Sequence, residues 1–183
     1  YYQKAIEIKP NCFEAYNNLG SLFQEMNSYY QAEKYFRKAI SINPNYAEAH
    51  FNLSLLYMHF GRFDKAWTSF NWRWHSNEFY TEMFKFNKPI FDLSSNHRHV
   101  FVWKEQGIGD QILFSRLFND LRDKDIKIDA LVDKKLKPLF QSSFPHINFV
   151  DSANEERIDS HAPMGDLGRF FINNFDDVKA RSH

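Results

Sequence analysis

Cysteine is almost missing from this 183-residue chain, with Cys12 alone representing it. One cysteine excludes an intrachain disulfide and a cysteine-based zinc site. It fits a reducing compartment, so a cytoplasmic location is expected. An excess of one charge is missing too, because 23 Lys and Arg balance 23 Asp and Glu. A neutral chain lacks the electrostatic footprint of a protein whose main partner is nucleic acid or an anionic membrane. Long apolar runs are also absent. The longest candidate, 51–60, carries His59 and stops at Gly61, well short of the roughly 18 residues of a membrane span. No signal peptide is visible, and the first residue is Tyr1 rather than Met, so a truncated N-terminus is expected. What remains is globular composition, with 25% charged, 43% hydrophobic and 18% aromatic residues. The length allows one large domain or two small ones.

The first half repeats. Pro10 and Pro44 stand 34 residues apart in similar settings. The same offset links Glu14 to Glu48, Ala15 to Ala49, Asn18 to Asn52, Leu19 to Leu53 and Ala32 to Ala66. It also links Tyr2, Phe36 and Phe70. This unit resembles the tetratricopeptide repeat (TPR), a pair of antiparallel helices. Tyr16, Leu19, Gly20, Phe23, Ala32, Phe36, Ala39 and Pro44 carry the resemblance, followed by His50, Leu53, Ser54, Tyr57, Ala66 and Phe70. Gly20 and Ala32 are small where two helices approach closely, Leu19, Phe23 and Phe36 fill the space between them, and Pro44 ends the second helix. The pattern predicts helices near 13–26, 29–42, 47–60 and 63–75, with 1–9 as the second helix of an earlier unit. Arg73 replaces the small Ala39, Glu78 replaces Pro44, and Phe70-Asn-Trp-Arg-Trp-His75 is too bulky for a further stacked copy. A terminal repeat that departs from the pattern suits a capped array.

Residues 77–98 read as a packed connector rich in Phe, with a short helix expected at 78–85. His97 and His99 form an HxH pair without an adjacent third ligand, so a polar turn is preferred to a metal site and no metal is expected. Residues 99–104, 126–132 and 147–150 read as strands, and 111–121 and 136–144 as helices. Strand–turn–helix in series predicts a Rossmann-like parallel sheet over 99–183. The fold class is thus α plus α/β, divided as repeats at 1–76, connector at 77–98 and half-domain at 99–183.

The turn Gln106-Gly-Ile-Gly-Asp110 follows the first strand, where ligands bind in open parallel sheets. Ile112 occupies the third glycine position, so the dinucleotide fingerprint fails. The string Lys104-Glu-Gln-Gly-Ile-Gly-Asp-Gln-Ile-Leu-Phe114, preceded by two TPR units and by Trp67 and Trp72-Arg-Trp74, looks like a bacterial architecture of TPR repeats fused to a GT-B glycosyltransferase module. It is similar to O-GlcNAc-transferase-like TPR proteins, and the Gly-Ile-Gly-Asp110 turn to lipopolysaccharide heptosyltransferases. His161-Ala-Pro-Met-Gly165-Asp-Leu-Gly168 resembles a later GSL-type segment, with Asp166 where Ser is expected.

The resemblance implies an enzyme whose second half, beyond His183, holds a nucleotide-sugar donor. The present chain is then a fragment, bound to no cofactor and inactive by itself. Asp110 is the implied general base for an acceptor hydroxyl; its other reading is an ordinary helix N-cap, and one residue can do both. Gln106, Gly107, Gly109 and Gln111 would line the sugar-acceptor pocket, or simply build a tight turn. In TPR arrays that bind peptides, the position of Asn18 and Asn52 faces the concave groove, so a protein or peptide partner is expected there. The alternative is a non-catalytic interaction module.

Overall fold

The computed structural model describes residues 1–77, 83–93, 96–105 and 107–179. The chain divides into two units, Tyr1–Tyr80 and Thr81–His183.

The first unit is helical. It runs through α1 (Tyr2–Ile8), α2 (Phe13–Glu25), α3 (Tyr29–Ile42), α4 (Ala47–His59) and α5 (Phe63–Phe70). Helix α2 packs on α3, α3 on α4, and α4 on α5. The expected 63–75 helix changes character at Phe70, after which Asn71–His75 winds as a 3-10 helix. The bulky residues explain the change. Arg73 is fully buried, its guanidinium lying 4.1 Å from the Phe70 ring centre and 4.4 Å from that of Trp74. The core is Ala32, Phe36, Leu53, Leu56, Tyr57 and Ala66. Gly20 is fixed by contact, since a Cβ there would lie 2.5 Å from the Phe36 ring. Its counterpart Ser54 does carry a side chain and donates its hydroxyl to the Phe51 carbonyl at 2.8 Å.

The turns also repeat. Asn27 and Gly61, 34 residues apart, both take left-handed φ, 57° and 67°. Ser28 N–H closes onto the Phe23 carbonyl at 2.8 Å, and Arg62 N–H onto that of Tyr57 at 2.9 Å. Both are Schellman closures, which glycine and asparagine accommodate best.

The second unit is a parallel sheet with helices. Strands β1 (His99–Trp103), β2 (Lys127–Leu131), β3 (Asn148–Phe149) and β4 (Ser160–Pro163) lie in the order β3-β2-β1-β4 among the described residues. All three pairings are parallel, with Val100 opposite Ile128 and Ser160. Helix α6 (Ile108–Ser115) follows β1, and α7 (Phe118–Arg122) follows α6. Helix α8 (Lys137–Ser143) links β2 to β3. After β4 come a 3-10 turn (Met164–Leu167), α9 (Gly168–Phe171) and α10 (Phe175–Lys179).

One sheet face presents Val100, Val102, Ile128, Ala130, Phe149 and Ala162 to Leu117, Phe118, Leu121 and Phe140. The opposite face carries Phe101, Trp103 and His161. Here Phe84 meets Trp103 with ring centres 5.1 Å apart, and Phe86 meets Phe101 at 5.4 Å and His161 at 4.5 Å. Phe84 and Phe86 of the connector thus lie against this second face.

Several sequence expectations change. The single helix at 111–121 begins earlier, at Ile108, and is broken at Arg116 and Leu117 into α6 and α7. Ile112 and Leu113, assigned to its apolar stripe, are about half exposed at 46% and 53%. The helix expected at 78–85 falls mainly outside the described residues, and residues 83–86 are not helical. His97 and His99 do not act as a pair: His99 Nε2 lies 3.1 Å from Asp129, while the His97 ring neighbours Phe91.

Candidate functional site

Strand order locates the site in the second unit. The chain moves from β1 outward to β2 and β3, then returns to place β4 on the other side of β1. Such a reversal opens a crevice at the carboxyl ends of the two strands on either side of it. Lys104 and Glu105, which follow β1, and the 3-10 turn after β4 therefore meet there. Gly165 N–H donates to Glu105 Oε1 at 2.6 Å and joins the two turns. A Cβ on Gly165 would stand 2.8 Å from that oxygen.

Gly107 is the N-cap of α6 and makes no side-chain cap. Asp110 is therefore not the N-cap that one sequence reading gave it. It is the third residue of the helix, exposed, in the first turn. A carboxylate there still gains from the helix dipole. Gly107 and Gly109 are exposed. Among the described residues, a Cβ at Gly109 would meet nothing within 4 Å, and one at Gly107 only the Asp110 carboxylate, at 4.0 Å. Neither glycine takes a positive φ, so packing and backbone conformation both leave room for alanine.

Gln111 has a different setting. It is buried, accepts the Asp133 N–H at 2.8 Å and donates to the Gly107 carbonyl at 3.4 Å. It braces the β1 turn against the turn after β2. Asp133 is held there as a carboxylate, its carboxyl kept below the usual range by the Lys135 N–H and by the Lys104 ammonium at 3.7 Å. Gln106 lies outside the described residues. Asp166 is buried in the 3-10 turn and ion-paired with Arg169.

His161 sits behind the crevice, on β4. It is 3% exposed and accepts the Trp103 indole N–H at Nδ1, 3.2 Å away. Burial pushes its pKa below the ordinary histidine value, while Glu155 and the Lys88 backbone oppose the shift. The unfolded chain then takes up a proton near pH ~6.5 that the folded chain refuses. Stability is complete above that pH and is lost as pH falls below it. Burial lowers His146 in the same way, so the measurement is comparative. Urea midpoints between pH ~7.5 and ~5 should fall less in His161→Gln than in the parent. Equal slopes would refute the assignment.

In the helical unit, a polar groove of about 400 Å³ runs between α2 and α4. Ser21, Gln24, Glu25, Asn27, Tyr29, Asn52 and His59 line it. Asn52 Nδ2 donates to Asn17 Oδ1 at 3.2 Å. Asn18, half-buried one residue further along, is not among the lining residues. The spatial partner of Asn52 is thus Asn17, which sequence spacing alone passes over. Glu105 and strand β4 were also missed. Glu105 could be found only once β4 was known to adjoin β1.

Among the described residues no group of three or more His, Cys, Asp or Glu could hold a metal ion, and no helix is long and apolar enough to cross a membrane. No curated protein matches the chain. Among solved structures, MamA aligns at 30% identity over 39% of this chain and 42% of its own, with a TM-score of 0.37. A mutant O-GlcNAc transferase from Thermobaculum terrenum aligns at 15% identity over 81% of this chain and 36% of its own, with a TM-score of 0.38. The chain spans less than half the length of either structure. Two tetratricopeptide repeat profiles match, over residues 13–46 and 35–68. Residues 13–68 of the helical unit are therefore tetratricopeptide repeats, a class whose stacked helix pairs create extended concave surfaces.

Proposed function

We propose that this chain is the acceptor-side half of a TPR-linked glycosyltransferase, with the repeats holding a protein partner or acceptor. The nucleotide-sugar donor is assigned to a further half that the resemblance implies. In the reaction, an acceptor hydroxyl attacks the anomeric carbon and the nucleoside diphosphate leaves. Asp110 takes the hydroxyl proton. Gly107 and Gly109 leave the backbone open to the acceptor, while Gln111 and Glu105 hold the turns that frame it. Gln106 shares the acceptor turn in this reading.

The observation that carries the reading is Gly109. It stands inside the first turn of α6, and no described residue comes within 4 Å of where a Cβ would go. Alanine would stabilise such a helix position by about 0.5–1 kcal/mol. A glycine that the fold does not need is explained by a group that must approach the backbone. The test is donor turnover by the complete gene product. Gly109→Ala should raise the melting temperature and lower kcat/KM about 10-fold to 100-fold through misplacement of the acceptor. Absence of nucleotide-sugar turnover in the parent would end the enzyme reading. Unchanged kcat/KM in the variant would remove the turn from the site.

The second reading is a non-catalytic interaction module. The Asp166–Arg169 pair favours it, because it fills the position where the resemblance places a serine.

A further inference from the structure

The inner and outer helices of the repeats differ in charge. Helices α2 and α4, which form the groove, contain Glu14, Glu25 and Glu48 and neither Lys nor Arg. Helices α3 and α5 carry Lys34, Arg37, Lys38 and Lys65 against Glu33 and Asp64. Two of the flanking cations are already paired with a carboxylate. Arg37 and Arg62 both bond Glu33, at 2.9 and 3.2 Å, and Arg37 also donates to the Tyr57 hydroxyl at 2.7 Å. Glu48 is buried and accepts both the backbone and side-chain N–H of Asn77, each at 3.1 Å. Glu25 is different: it is exposed and lines the groove.

Around Glu25 stand neutral hydrogen-bonding groups and rings. Ser21, Gln24 and Asn52 supply hydroxyl and amide donors and acceptors suited to an extended backbone. Tyr29 packs against His59 and Phe60, with ring centres 4.9 and 5.0 Å apart. A carboxylate beside an aromatic shelf suits a guanidinium, which pairs with one and stacks on the other. An acidic segment would find no lysine or arginine on either groove helix.

We propose that the α2–α4 groove binds an extended, arginine-containing peptide segment and rejects an acidic one. The inference rests on the reading of the repeats as a protein-binding surface. The probes are two labelled decapeptides, one alternating arginine and serine, the other glutamate and serine. Binding to the full chain is followed by fluorescence anisotropy. The arginine peptide should bind and weaken as salt rises. Glu25→Lys, at an exposed position, should weaken it about fivefold, and Gln24→Ala about threefold. Tighter binding of the glutamate peptide, or indifference to Glu25→Lys, overturns the charge preference. Should Gln24→Ala still weaken the bound peptide in that case, the groove stands as a peptide site of another specificity. Binding of neither peptide, or binding insensitive to both substitutions, removes the groove reading as well.

Discussion

Replacing Gly20 by alanine is expected to destabilise the repeat unit by about 1–3 kcal/mol, although alanine is the better helix former by about 1 kcal/mol. The reason is steric. The new methyl would stand 2.5 Å from Cδ1 and Cε1 of Phe36, a ring with no exposed surface and packed neighbours on α3 and α4. Separation of the helices or an off-rotamer ring would be needed to admit it. Phe36→Ala should cost more, about 3–5 kcal/mol, because it leaves a cavity in a close-packed core. A unit of this size has only about 4–12 kcal/mol in total. The two changes should not add. Without the ring, alanine at position 20 meets no obstacle and its helix preference is expressed. Gly20→Ala should therefore stabilise the Phe36→Ala background by a few tenths to 1 kcal/mol. Urea unfolding with hydrogen exchange on α2 and α3 amides measures the cycle. Strict additivity would show that Phe36 is not what excludes the methyl.

The second large effect concerns Asp110. In the complete gene product, Asp110→Asn should lower kcat about 10²- to 10⁴-fold with little change in donor KM. Asparagine keeps the shape and removes the carboxylate that the base role requires. It also removes a negative charge from the first turn of α6, worth about 0.3–1 kcal/mol of stability. The two roles separate cleanly. A base lost gives a large fall in kcat and a small fall in stability. A helix-end charge lost gives the small fall in stability alone, and that outcome would leave Asp110 without a chemical role.

Much of the first unit was legible because its constraints are local. Tyr2, Phe36 and Phe70 recur at one spacing, and Gly20 meets the Phe36 ring within a single helix pair. The limits appear where one residue answers to distant neighbours. Ser160-His-Ala-Pro163 has no run of β-branched residues, and it is a strand because β1 offers it a pairing edge. The stripe at 112–121 was read as one helix, but Leu117 and Phe118 face the core while Ile112 and Leu113 do not. The break at Arg116 and Leu117 re-aims the apolar residues, and periodicity carries no sign of it. Gln111 was placed in the acceptor turn by its position. Its bond to Asp133 depends on the turn after β2, 22 residues away, which no local pattern reveals.

The backbone beside β4 has a further meaning. His161 donates its N–H to the Pro89 carbonyl at 3.0 Å and accepts the Phe91 N–H at 2.7 Å, so Ile90 forms an isolated bridge on the outer side of the strand. The opposite border of the sheet, β3, is two residues long. Among the described residues neither border offers a long row of unpaired N–H and C=O groups. Such rows are what recruit a foreign strand or start edge-to-edge aggregation. This sheet is thereby poorly suited to binding by strand addition.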